Sequence, residues 1–264
     1  MRLSIEHETI YRYDAPVRSS TQYLRMTPRQ TPRQNVLQWQ LDTPRPATQT
    51  HDGYGNVLHV LTLDKAVREI RIRAHGVVEL LAADVESHDQ NGANLSPLVF
   101  LRQTQVTLAD EALARFAKGF GSRAPALAGL GELAAAIPEK LPAGQAQGVE
   151  PLTAAEAFAS GCGSVRDHAH VFISCCRHLG VPARYVSGYV LSQDKDPARI
   201  VSHVWTEAWI AKSWKRFDLA ATPGADHLKL AVGADHLDAC PIRGIRTGGG
   251  LETMEAHARI NVAQ

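Results

Sequence analysis

The residues best suited to act together are His203, in the run Ser202-His203-Val204-Trp205-Thr206-Glu207-Ala208-Trp209, and Asp218, in Trp214-Lys215-Arg216-Phe217-Asp218. A histidine on one strand and an aspartate on the next can set an imidazole as general base. Such a base needs a nucleophile, and the run Gly161-Cys162-Gly163-Ser164-Val165-Arg166-Asp167-His168-Ala169-His170 reads as a helix start. A helix N-terminus lowers the pKa of a thiol placed there and offers backbone donors to an oxyanion. Thiol acyl transfer is the chemistry these three segments could share.

Neighbouring residues have plainer roles. Ser164 could be activated by His203 or line a substrate site, but a serine at a helix start is an N-cap first. Arg166 lies where positive charge is unfavourable, and Asp167 is its expected partner. His168 and His170 fall on different helix faces and are expected to satisfy buried polar groups; with His203 they lack a trustworthy metal-ligand spacing. Cys175 and Cys176, mid-helix among apolar residues, and Cys240 before Pro241 read as small core residues. Trp205, Trp209 and Trp214 alternate with polar residues, which suits a core, while Trp205 could also wall a cleft beside His203.

The elements that must position these residues occupy the second half. Thr153 to Ser160 reads as a short helix and Asp167 to Leu179 as a longer one, ended by Gly180 and Pro182. Strand-like runs follow at Arg184 to Leu191, Val201 to Ala211 and Trp214 to Leu219, so helices should pack on an antiparallel sheet. Earlier, Leu37-Gln38-Trp39-Gln40-Leu41, Val57-Leu58-His59-Val60-Leu61 and Ile70-Arg71-Ile72-Arg73 alternate with period two. The junction is alanine-rich and helix-periodic, from Ala109 to Phe120 and from Leu130 to Leu141, interrupted by Pro125 and Pro138. The fold class expected is α+β: a β-sandwich-like domain over 1–105, then a helix-on-sheet domain over 106–264. The run Gly248-Gly249-Gly250 lacks the context of a phosphate loop and reads as a flexible turn.

Composition narrows the function classes. With 264 residues, 44% apolar and 21% charged, the chain can bury one large core or two modest ones. A net charge of +1 with interspersed signs gives no reason to expect nucleic acid or an anionic membrane as partner. The opening residues lack a signal-peptide apolar stretch, and no run approaches the roughly 18 apolar residues of a membrane span, so a cytoplasmic location is expected. The four cysteines form neither a disulfide framework nor a metal knuckle. No metal or organic cofactor is expected.

Taken together, several segments resemble the bacterial transglutaminase-like proteins, whose core is related to papain. They are Tyr11-Arg12-Tyr13-Asp14-Ala15-Pro16-Val17, Gln22-Tyr23-Leu24-Arg25-Met26-Thr27-Pro28-Arg29, Asp52-Gly53-Tyr54-Gly55-Asn56, Asp167-His168-Ala169-His170-Val171-Phe172-Ile173 and Gly180-Val181-Pro182-Ala183-Arg184-Tyr185-Val186-Ser187-Gly188-Tyr189. The resemblance implies a transglutaminase-like core in which His203 is the base and Asp218 its orienting acid. The family helix opens Gly-x-Gly-x-Cys-x-Asp; with Gly161, Gly163 and Asp167 in register, Val165 stands at the nucleophile position. Valine has no nucleophilic atom. Cys162 is the nearby substitute, but three helical residues displace it by about 4.5 Å along the axis, against a reach of roughly 3 Å for the base. The flanking glycines could loop it back.

Two functions are therefore expected as rivals. In one the chain is a cysteine peptidase or amidase of this family, acting on a peptide-like substrate through Cys162. In the other it is a pseudoenzyme whose cleft binds a peptide or protein partner. Val165 as a replacement in a protein otherwise active through cysteine, and a metal-assisted hydrolase using His168, His170 and His203, stand behind these.

Overall fold

Strand β1 (Arg2–Leu24) alternates apolar and polar residues, so that Leu3, Ile5, His7 and Thr9 are buried while Arg2, Glu6 and Arg12 line the other face. That period-two pattern makes one long strand the spine of a sheet. A computed structural model describes residues 1–81, 95–121, 126–144, 152–191, 200–220 and 226–263. In it β2 (Gln34–Asp42), β3 (Thr48–His51), β4 (Val57–Leu63) and β5 (Val67–Leu80) complete the N-terminal strands. The N-terminal part of β1 pairs with β5 and its C-terminal part with β4.

The opposite edge of β1 is filled from far along the chain. There β10 (Ile242–Gly248) and β11 (Glu252–Ala263) pair antiparallel with it, giving seven strands in one sheet. Two features differ from the sequence-based expectation. These strands form a single sheet rather than a sandwich of their own, and residues 242–263 return to it instead of staying with the second half. Such a return joins distant strands in an antiparallel ladder that local periodicity does not disclose. The glycine run links β10 to β11 with all three φ angles left-handed, and Gly249 N–H donates to the Pro16 carbonyl, so this turn is pinned against β1.

Four helices and a second sheet make up the rest of the core. They are α1 (Glu111–Lys118), α2 (Leu127–Lys140), α3 (Ala154–Ser160) and α4 (Val165–His178). Pro138 lies inside α2 rather than ending it, while Pro125 falls outside the described residues. The sheet holds β6 (Ala183–Leu191), β7 (Ile200–Ile210), β8 (Ser213–Phe217) and β9 (His227–Gly233), in the order β8-β7-β6-β9, all antiparallel. A short helix, α5 (His236–Ala239), follows. None of the described helices is long and apolar enough to cross a membrane.

Helix α4 is buried along most of its length because Ala169, Phe172, Ile173 and Cys176 meet Ala183, Tyr185, Ala208 and Phe217 of the sheet. Elsewhere on the second sheet, Tyr189, Leu228 and Leu230 pack on Leu3, Ile5, Val78 and Ile260, so the two sheets share a core. The Asp52 to Asn56 turn reinforces that junction. Buried Asn56 donates to the Val232 carbonyl at 2.7 Å and accepts from Val232 N–H at 2.9 Å, and the Tyr54 hydroxyl donates to Asp238.

Gly188, on β6, is required by close approach. A Cβ there would overlap the Leu228 carbonyl oxygen and stand 2.7 Å from Cη2 of Trp205. Gly188→Ala should cost about 2–3 kcal/mol by overpacking, read as a lower urea midpoint. An unchanged midpoint would mean that Trp205 and β9 give way freely.

Candidate functional site

The segment entering α4 is shaped by caps. Helix α3 opens on Thr153 and Glu156 in a reciprocal capping box and stops at Gly161, whose φ of 69° is left-handed. Gly163 N–H then donates to the Pro142 carbonyl, and its own carbonyl accepts from Gly144 N–H. Ser164 is the N-cap: its N–H and hydroxyl both donate to Asp167 Oδ2, at 2.8 and 2.7 Å, and its Oγ accepts from Asp167 N–H. Asp167 is thereby engaged by the helix start. It makes no ion pair with Arg166, whose buried Nε lacks a partner, so the expected pairing of those two is corrected.

Val165 is the first residue of α4. Phe172, seven residues on, lies on the same helix face and meets Phe217 at 4.9 Å between ring centroids. Phe217 immediately precedes Asp218 in the chain, so this part of α4 packs against the residue next to the carboxylate. The first residue of the helix thus presents a valine, not a thiol.

His203 and Asp218 are brought together. Thr206 of β7 pairs with Phe217 of β8, so Asp218 emerges beside the segment that carries His203. The imidazole Nε2 donates to Asp218 Oδ2 at 2.7 Å. A second imidazole, His227 on β9, donates from Nε2 to the same oxygen at 2.6 Å, and Ala220 N–H donates to Oδ1. All three side chains are largely enclosed, with exposures of 11% for His203, 8% for Asp218 and 5% for His227. Burial alone would raise the Asp218 pKa, but the hydrogen bonds from His203 and His227 outweigh it and hold the carboxyl well below the usual range.

Trp205 closes this cluster from one side. Its ring lies edge-on to His227 at 4.9 Å and parallel to His203 at 6.5 Å, and it is buried with Val186 and Val232. It is therefore a core residue that packs beside both imidazoles. His227 was missed because the stretch after Leu219 carries no apolar pair around the histidine; the alternation Leu228, Leu230, Val232 was the available signal.

The other histidines stand apart. His168 Nε2 donates to the Leu141 carbonyl at 2.6 Å. Fully buried His170 accepts at Nε2 from His236 N–H, and burial, with His236, Arg166 and Arg177 nearby, keeps its pKa well below the ordinary value. The trio His168, His170 and His203 is not assembled.

None of the four thiols is hydrogen-bonded to His203. Cys162 is exposed, and its Sγ lies against the Gly144 backbone, 3.4 Å from where a Cβ on that glycine would stand. Cys175 and Cys176 are buried in the α4 core, which pushes both thiols up. Cys240 Sγ donates to the Ile242 carbonyl, and its pKa is also raised, chiefly by burial.

Residues 3–79 match the model for the bacterial transglutaminase-like N-terminal region, and residues 117–219 match that for the transglutaminase-like superfamily. An uncharacterized protein of Mycobacterium leprae is 26% identical over 98% of this chain and 98% of its own length. One from Mycobacterium tuberculosis is 27% identical over 92% of this chain and 87% of its own. Among solved structures, a candidate cysteine protease from Cytophaga hutchinsonii superposes with a TM-score of 0.78 at 18% identity, covering 100% of this chain and 91% of that one.

Proposed function

The chain belongs to the transglutaminase-like superfamily and carries that superfamily's bacterial N-terminal region, and from this premise we propose that it has lost thiol catalysis and uses the inherited cleft to bind a peptide or protein segment. The observation that carries the proposal is that α4 begins with Val165 while no thiol is bonded to His203. An imidazole oriented by a carboxylate is half of an acyl-transfer site; without a nucleophile it can hydrogen-bond a ligand but not form an acyl-enzyme. Cys162 does not supply the missing half, because its sulfur faces the Gly144 strand of chain. The family label remains that of cysteine peptidases and amidases, and a peptide-like ligand follows from it. A reducing cytoplasm, which suits four free thiols, is part of the same proposal.

Alkylation by iodoacetamide across pH, resolved for each cysteine by mass spectrometry, tests this in the wild type and in His203→Ala. We expect all four cysteines to react without dependence on His203, exposed Cys162 faster than the other three. Fast alkylation of Cys162 near neutrality that slows in His203→Ala would overturn the proposal and restore a thiol hydrolase with a relocated nucleophile.

A further inference from the structure

We propose that His203, Asp218 and His227 form a binding site for a divalent transition-metal ion of the zinc class. The three side chains arrive from β7, from the residue following β8 and from β9, and their ligand atoms all lie within 4.8 Å of one another. Two imidazole nitrogens and one carboxylate oxygen suit zinc, cobalt or nickel; calcium and magnesium prefer oxygen alone.

A base with its orienting acid would be the simpler arrangement. That accounts for His203 and Asp218 but not for His227, since a carboxylate needs only one imidazole to orient. Here the second Nε2 converges on the same Oδ2, at 2.6 Å against 2.7 Å for the first. In a tetrahedral site with bonds of about 2.0–2.2 Å, ligand atoms stand roughly 3.3 Å apart. A small withdrawal of the carboxylate oxygen therefore opens the space, and each imidazole would carry its proton on Nδ1 instead of Nε2. The Ala220 N–H on Oδ1 holds the carboxylate in orientation, and the Trp205 edge against His227 supplies an apolar wall, both common supports of metal sites. Three protein ligands leave a further coordination position for water or a ligand group.

This inference is independent of whether the cleft binds a peptide, and its readout differs from thiol reactivity. Tag-free full-length protein, stripped with chelator, is titrated with cobalt(II) and then zinc(II). The expected result is one cobalt per chain with a visible d–d spectrum, no sulfur-to-cobalt charge transfer, and displacement by zinc. His227→Gln and Asp218→Asn should weaken binding by on the order of 100-fold or more, at least the cost of losing a supporting partner, while Cys162→Ser should leave it unchanged. Should a variant fail to fold, imidazole nitrogen NMR of the wild type answers the same question: zinc should move the His203 and His227 resonances. Absence of saturable cobalt binding, an unaltered cobalt spectrum in folded His227→Gln, a sulfur charge-transfer band, or zinc-induced shifts confined to other histidines would each overturn the site.

Discussion

Val165→Cys is expected to give this chain its fastest thiol. The new sulfur would sit on the first residue of α4, where the helix dipole and the first-turn N–H groups not taken by the Ser164 cap favour the thiolate. Cysteines so placed have pKa values of about 3.5–7.5, against about 8.5 for a free one. At neutral pH only about 3% of an ordinary thiol is ionised, so a midpoint at or below 7 raises the reactive fraction by roughly 15- to 30-fold. Iodoacetamide alkylation of residue 165 should show that gain, with a pH midpoint at or below neutrality. Val165→Ala is the control and should add no reactive site. If His203 faces the new sulfur, removing the imidazole in Val165→Cys/His203→Ala should move the midpoint back up. A thiol at 165 that titrates near 8.5 in both backgrounds would show that the helix start and His203 do not share a cleft, and the proposed loss of catalysis by one substitution would fall with it.

That experiment isolates what the sequence could and could not disclose. The pairing of His203 with Asp218 was legible because both lie on short strands whose alternation is strong and whose order is consecutive, β7 then β8. The start of α4 was legible from its cap, although the helix begins at Val165 rather than at Asp167. Ser164 could be read as cap or as participant; its hydrogen bonds to Asp167 make it a cap. Arg166 could not be placed, because its neighbour's carboxylate serves the backbone, a choice set by free N–H groups rather than by charge.

The elements that escaped the sequence reading are those fixed by distant pairing. His227 joins the cluster only because β9 adds to the free edge of β6, an arrangement with no local signature. The return of β10 and β11 to β1 similarly joins the chain's two ends across more than two hundred residues, as in the pairing of Arg2 with Ala263. Period-two alternation indicates that a segment is a strand but not which edge accepts it. The turn at Asp52 to Asn56 illustrates the reverse case. Its residues were recognised as a family feature, and the structure shows their physical task, which is to lock the first sheet onto Val232 and Asp238 of the second half.

Acid should destabilise this fold earlier than its carboxylates alone would dictate. His7 is buried where Tyr189 meets β1, its Nδ1 2.6 Å from the Tyr189 hydroxyl, and burial lowers its pKa to about 4. His170 is held well below its ordinary value by burial, and burial also lowers His59 and His236. In the unfolded chain each titrates near 6.5, so below that pH the unfolded state binds more protons than the folded one. Stability is therefore full above about 6.5 and declines as pH falls towards the depressed folded values. For His7 alone, the gap from 6.5 to about 4 corresponds to a loss on the order of 3 kcal/mol at about 1.36 kcal/mol per unit. The depressed carboxyl of Asp218 acts in the same direction but only below its unfolded value of about 3.9, so the two windows are separate. Urea unfolding at pH 7.5, 6 and 5 should show a falling free energy, and His7→Gln, which can keep a hydrogen bond to Tyr189 but cannot titrate, should flatten the fall. Equal stability at pH 7.5 and 5 would mean that these imidazoles are not held neutral, and the sealed junction between the two sheets at His7 and Tyr189 would have to be more open to water than its packing indicates.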